Sequence, residues 1–276
     1  MLLLAACSPD LEPAADPPAE GTARVLSYNV HGFPSALTGD DTPARMYAIG
    51  PLLDGYDLVG LQEVWDEEEA IAPLEETVTL EEVATWDEPL DDTKVYGTGL
   101  VSYARAGAVE AGGGWYSACY GTFENASDCF ASKGWTWARV ELAEGAAVDL
   151  WDTHMDAGND QADDTARAVQ VDELLAAIDD VSADHAVVLV GDFNMAIDDP
   201  EDVPLLEEIA AAGLADACDL VGCPEPARID HVYVRDGGGI ALAVDAWEVD
   251  AAFVDAEGVP LSDHDAIGVS VTWSRK

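Results

Sequence analysis

The chain has 276 residues, 49% of them hydrophobic, enough for one domain with a substantial core. Aromatic residues at 8% and 24 Gly argue against a disordered chain. The 56 acidic residues against 11 basic give a formal net charge of −45, a field that repels polyanions and disfavours a nucleic-acid partner.

The first segment contains Leu4-Ala5-Ala6-Cys7, which looks like a bacterial lipobox with Cys7 as the lipidation candidate. What precedes it is too short for a signal peptide and has no basic residue. The true start therefore lies upstream, or the match is accidental. Residues 8–21 are rich in Pro, Ala, Asp and Glu, as a flexible tether would be. The expectation is an exported protein, membrane-anchored or secreted, with a tether over 1–21 and one domain over 22–276. No apolar run is long enough for a membrane-spanning helix.

Past the tether, residues 24–30 (RVLSYNV) read as a central strand. Thr42-Pro43 supplies an N-cap and a proline at the first helical position, and Met46, Ile49 and Leu53 follow at helical spacing. Residues 57–62 (DLVGLQ) are a second buried strand, and 65–92 a short helix followed by loop. Strands are predicted at 100–104, 135–142 and 148–153. The clearest helix is 162–179, with Val171, Leu174, Leu175 and Ile178 on one face. A continuous apolar strand at 186–190, a helix at 203–212 and strands at 228–234 and 266–273 complete the order. Strands mixed with helices point to an α/β sandwich. Trp115 and Tyr116, beside Gly112-Gly-Gly114, read as packing aromatics in a long loop, with a surface anchor as the alternative.

Setting Cys7 aside for lipid, four cysteines remain in two close pairs, Cys119 with Cys129 and Cys218 with Cys223. Neither pair has zinc-site spacing, so two short-loop disulfides in an oxidising compartment are expected. The acidity has no Asp-x-Asp-x-Asp-Gly calcium loop and reads as a solvated surface suited to a salty medium.

Polar residues recur where the predicted strands end: Asn29, Gln62-Glu63, His154, Asp192 to Asn194, Asp230, and Asp263-His264. One Asn or Asp after a strand makes a turn, and one His is usually structural. As a set they offer hard oxygen ligands for Mg²⁺ or Ca²⁺, imidazoles for proton transfer and amides for phosphate oxygens.

In order, Ser27-Tyr-Asn-Val30, Leu61-Gln-Glu-Val64, Asp152-Thr-His154, Gly191-Asp-Phe-Asn194, Arg228-Ile-Asp230 and Ser262-Asp-His264 resemble the motif series of the DNase I-like endonuclease/exonuclease/phosphatase superfamily. The resemblance implies a four-layer α/β/β/α sandwich and hydrolysis of a phosphoester by activated water. It implies that Glu63, helped by Asn29 and with Asp263 in support, holds a divalent cation, Mg²⁺ first, with Ca²⁺ or Mn²⁺ as alternatives. His264, oriented by Asp230, would be the general base. Asp192 and Asn194 would face phosphate and nucleophile, and His154 would contact the phosphate or assist the leaving oxygen. His31, His185 and His231 match no motif role and read as structural.

Residues 119–140, with Lys133-Gly134, and the setting of His154, with Arg167 and Gln170 following, look like the bacterial neutral sphingomyelinase and phospholipase C-like branch. That branch implies a monomeric phosphodiesterase acting on phospholipid, with peripheral membrane contact. Where its members carry an exposed aromatic hairpin, this chain offers Trp247 and Phe253 amid acids. The rival readings are an extracellular DNase I-like endonuclease, a sugar- or inositol-phosphate phosphatase, and a non-catalytic surface-binding lipoprotein.

Overall fold

The structure is a computed structural model that describes residues 17–86, 88–121, 125–225 and 228–276. Cys7 and most of the tether lie outside the described residues. In chain order the elements are β1 (Glu20–Asn29), α1 (Ser35–Thr38), α2 (Thr42–Ile49), β2 (Leu58–Gln62), α3 (Ala72–Thr77), β3 (Glu81–Thr85), β4 (Val101–Ala104), β5 (Ala108–Trp115), β6 (Gly134–Ala143) and β7 (Ala146–His154). There follow α4 (Gln161–Ser182), β8 (Ala186–Asp192), α5 (Val203–Ala211), β9 (Ala215–Asp216), α6 (Ala217–Val221), β10 (Asp230–Arg235), β11 (Ile240–Val249) and β12 (Ile267–Arg275). The first strand begins at Glu20 and pairs it with Ser274, so the last residues assigned to the tether are part of the sheet.

Two six-stranded sheets form, in the orders β11-β12-β1-β2-β4-β3 and β5-β6-β7-β8-β10-β9. They pack face to face over a core of short aliphatics such as Val25, Leu58, Ala138, Leu150, Val190, Val232 and Val269. The outer face of the first sheet is covered through Met46, Ile49 and Leu53, that of the second through Val171, Leu174 and Ile178 of α4. The expected α/β/β/α layering is therefore present. Each of the three α4 side chains is fully buried, a contribution of about 1.5–3 kcal/mol apiece relative to exposure.

Local chemistry explains most boundaries. The cap of α2 is Asp41, not Thr42, because the Asp41 carboxylate accepts from the Ala44 amide at 3.2 Å while Thr42 and Pro43 occupy the first turn. The helix then tightens into a 3-10 turn over Gly50–Gly55. The segment expected as a long loop before Tyr116 is instead strand β5, with Gly112, Gly113 and Gly114 paired to Trp137, Thr136 and Trp135. Trp115 stacks edge-on against Trp86 at 5.2 Å, and buried Tyr116 bonds Thr153 at 2.6 Å, so both pack. Phe253 is buried against Tyr28 at 4.9 Å. Trp247 is half-buried beside the Arg228 guanidinium at 5.7 Å, so neither is an exposed aromatic. Both expected disulfides form, Cys119–Cys129 and Cys218–Cys223, with Cα separations of 5.3 and 4.8 Å. A Cβ on Gly60 would stand 2.3 Å from Val190 of the facing sheet, so only glycine fits that position on β2.

Candidate active site

The strand register brings the site together. Asn29 at the end of β1 lies beside Gln62 at the end of parallel β2. In the other sheet, Asp192 at the end of β8 is flanked by His154 of parallel β7 and Asp230 of antiparallel β10. The two rows meet across the sandwich, where the Asn29 amide donates to Asp192 Oδ2 at 3.0 Å. Below, buried Gln62 donates to buried Asp152 at 2.6 Å, a second bridge between the sheets.

Loops complete the arrangement. Among the described residues, those with a positive φ that are not glycine are His31, Glu63 and Asn194, at 50°, 61° and 51°. Such backbone costs about 1–3 kcal/mol per residue and persists where the surroundings impose it. Here it aims three polar side chains at one place. Gly32 permits it, since its amide bonds the Glu63 carbonyl at 2.8 Å and a Cβ there would clash with that oxygen. Arg45 of α2 ties the loops down, donating to the carbonyls of Val30, His31 and Leu261 at 2.7–2.9 Å. Ser262 donates to the Asn29 carbonyl at 2.7 Å.

A cavity of about 220 Å³ opens here, lined in part by Glu63, Lys133, His154, Asp192, Asn194 and His264. His264 Nδ1 lies 2.9 Å from Asp230 Oδ2, and its Nε2 is 3.7 Å from Asp192 Oδ2. His154 Nε2 lies 3.4 Å from that same Asp192 oxygen and 3.9 Å from Glu63. Lys133, buried, donates to His154 Nε2 at 2.8 Å and to the Met155 carbonyl at 3.0 Å, and pairs with Asp128 at 2.9 Å. Asn194 bonds through its backbone amide to Asp192 and through its side chain to the Met155 carbonyl, both at 3.0 Å.

The electrostatics divide the groups by role. Burial alone would push the Glu63 carboxyl up, but His31 at 3.6 Å, His154 and the Lys133 charge outweigh it and hold Glu63 at about 2. Burial and the neighbouring Asp230 push Asp192 up to about 7. Burial and Lys133 drive His154 well below its ordinary value, so it is a neutral imidazole accepting the Lys133 proton. His264 goes the other way. Burial opposes its charge, yet Asp230 and Asp192 raise it to about 10. Because that value exceeds the unfolded one, the stability this group contributes is complete below about 6.5 and is lost as pH rises through about 10.

An added divalent charge in this cavity must lower the pKa of His264, since like charges disfavour the protonated ring. In a histidine NMR titration the His264 ring should show a midpoint near 10 in EDTA, and the midpoint should fall when Mg²⁺ is added. A midpoint unmoved by saturating Mg²⁺ would place the cation elsewhere.

Of the residues singled out in the sequence, Asn29, Glu63, His154, Asp192, Asn194, Asp230 and His264 converge. Asp263 stands apart, 62% exposed at the rim, linked to Glu63 through His31 Nδ1, which is 3.5 Å from Asp263 and 3.6 Å from Glu63. His31 was expected to be structural and instead sits in the site between two carboxylates. His231 is held by Asp216 at 2.8 Å and the Met195 carbonyl at 2.9 Å, a packing role. Arg167 and Gln170 of α4 brace the loop after β7, bonding the Asp156 backbone at 3.1 and 2.8 Å. The aromatic residues that also line the cavity, Phe33, Trp65, Tyr96 and Phe130, carry no sequence motif and were not foreseen.

A cation fits this donor set. Glu63 is an ionised hard oxygen donor in a cavity, held on strained backbone. A second grouping, with ligand atoms within 4.8 Å of one another, comprises Asp192, Asp230 and His264.

The sequence pattern of the Endonuclease/Exonuclease/phosphatase family matches residues 26–264. A sphingomyelinase of Mycobacterium tuberculosis is 26% identical over 265 residues, covering 88% of this chain and 51% of that protein. The chain thus spans about half the length of the curated relatives it matches. Among solved structures, sphingomyelinase C from Streptomyces griseocarneus superposes with a TM-score of 0.63 at 18% identity, covering 93% of this chain and 100% of that one. A variant of beta toxin from Staphylococcus aureus with bound magnesium ions gives 0.63 at 15% identity, with the same coverage. At these identities the two structures speak to the fold.

Proposed function

Since the chain belongs to the endonuclease/exonuclease/phosphatase family, we propose that it is a metal-dependent phosphodiesterase cleaving a choline-type phospholipid, in the manner of a sphingomyelinase or phospholipase C. The observation that carries the diester reading is the position of His264, which lines both the cavity described above and a second one of about 460 Å³ bounded by Asp230, Trp247 and Val249. A phosphodiester centred at His264 has one cavity for each ester arm, whereas a monoester needs one.

In its deprotonated form, the minor one at neutral pH given a pKa of about 10, His264 takes the proton from the attacking water at Nε2, and Asp230 at Nδ1 holds the ring in that orientation and balances the imidazolium that forms. Asp192 and Asn194 hold the water and a phosphoryl oxygen. Lys133 places a buried fixed positive charge beside the phosphate, and His154 lies between it and Asp192. Glu63, with Asn29 behind it and Asp263 at the rim, holds the divalent cation. When bound, that cation supplies charge neutralisation for the phosphoryl oxygens. Cys7 as a lipid anchor, export and a monomeric state belong to the same proposal and rest on the sequence.

The test is hydrolysis by the full chain in Mg²⁺, Ca²⁺, Mn²⁺ or EDTA, comparing sphingomyelin and phosphatidylcholine micelles with duplex DNA and inositol phosphate. Phosphocholine release that stops in EDTA is the expected result. DNA cleavage without lipid turnover would replace this reading by the nuclease one. The net charge of −45 speaks against that, since DNA binding draws on cations that displace counterions.

A further inference from the structure

The catalytic cavity is also lined by aromatic rings. Phe33 stacks on Trp65 at 5.8 Å, Trp65 meets Tyr96 at 5.8 Å, and Tyr96 meets Phe130 edge-on at 6.0 Å. Trp65 also lies 6.4 Å from the His154 ring, so the aromatic group abuts the phosphate side. Phe33, Tyr96 and Phe130 are only half-buried, and they line the cavity although rings serving as core would be covered.

The position of Tyr96 is built. Its backbone and that of Val95 bond to the strand-like segment after Cys129, through Val95 to Phe130 at 2.9 Å and Ser132 to Tyr96 at 3.1 Å. A second feature points to a ligand. Asp128 lines the same cavity and is 4% exposed, and only its Oδ1 is used, by Lys133. Its Oδ2 is buried without a hydrogen-bond partner. A carboxylate oxygen left so is costly unless something positive reaches it.

We propose that the rings of Phe33, Trp65, Tyr96 and Phe130, with the free oxygen of Asp128, form a quaternary-ammonium site that selects choline head groups, an inference that rests on the phospholipid reading above. Ring faces attract a cation through their quadrupole. A quaternary ammonium carries its charge on methyl groups and has no N–H to satisfy. A primary ammonium has three donors, and against the rings it would lose its water with no acceptor there besides the Asp128 carboxylate. A volume of about 220 Å³ is below that of a drug-sized pocket, about 300–1,000 Å³, and suits a head group rather than acyl chains.

The experiment follows tryptophan fluorescence of the full chain in EDTA at constant ionic strength, titrating tetramethylammonium chloride against ammonium chloride. Trp65→Phe assigns the signal. A saturable change with tetramethylammonium alone is expected, with affinity falling about tenfold in Tyr96→Leu or Phe130→Leu. An identical response to both cations, or affinity unchanged in both ring variants, overturns the site. Choline and ethanolamine lipids in otherwise identical micelles provide the second arm, where Tyr96→Leu should cut the choline preference in kcat/KM by about tenfold. If tetramethylammonium binds as expected but neither lipid is cleaved, the site stands and the phospholipid reading falls. If choline lipid is cleaved while tetramethylammonium binding ignores both ring changes, the site falls and the reading stands.

Discussion

Purified His264→Asn should lose at least about 10²–10⁴-fold in kcat while remaining folded, its melting temperature at neutral pH falling below that of the parent chain because the charge that Asp230 and Asp192 stabilise is gone. His264 contacts the rest of the protein through Asp230 at 2.9 Å and through its backbone amide to Ser262 at 3.2 Å, and it is not part of a hydrophobic core. An amide of similar size therefore leaves the packing of the sandwich intact and removes the basic nitrogen together with its charge. Asp230→Asn separates orientation from basicity. It retains the His264 ring but offers an amide in place of the carboxylate that raises its pKa. That variant should keep measurable turnover and show the acid limb of its pH–rate profile at lower pH, because the imidazolium has lost its main stabilising charge. Turnover in His264→Asn within a few-fold of the parent, measured with the same lipid and metal, would remove His264 from the base role.

The strands legible in the sequence are those in the interior of the two sheets. β1, β2, β4, β6, β7, β8, β10 and β12 each have a neighbour on both sides, and each reads as an apolar or alternating run. The four strands that sequence reasoning passed over, β3, β5, β9 and β11, are the four sheet edges. An edge strand is half solvated and carries charges and glycines that guard against pairing with another chain, which erases the apolar signature. The β11 run IALAVDAWEV and the β5 run AVEAGGGW are of that kind, mostly exposed or half-buried.

The site divides along a similar line. Residues at the ends of interior strands were visible because a polar group closing an apolar run is conspicuous. His31 was not, because its role depends on a left-handed turn and on Asp263, distant in sequence and 3.5 Å away in space. Arg45 was hidden inside an ordinary amphipathic helix. The rings of Phe33, Tyr96 and Phe130 come from three separate segments, two loops and the end of a 3-10 helix, so no spacing could have joined them.

Glu63→Gln should weaken Mg²⁺ binding by at least about 100-fold in calorimetry, more than the 10–100-fold typical of losing a residue that merely supports a ligand. Glutamine has nearly the volume of glutamate and can still accept from His31, so fold and loop geometry are retained. What is removed is the negative charge that the surroundings hold ionised down to about 2. Asp263→Asn should cost far less, about tenfold at most, since its carboxylate is 62% exposed and reaches Glu63 only through His31. Asp192→Asn is the decisive contrast. Its carboxylate faces Asn29, His154 and His264 together, and its ligand atom clusters with those of Asp230 and His264 within 4.8 Å. If the cation sits at Glu63, Asp192→Asn should lower kcat with Mg²⁺ affinity changed by no more than about tenfold, because Asp192 then works on the water rather than the metal. Should Glu63→Gln bind Mg²⁺ normally while Asp192→Asn does not, the cation belongs to the group of Asp192, Asp230 and His264. A ring coordinated there could not also accept the proton of the attacking water, and the base would have to be sought elsewhere.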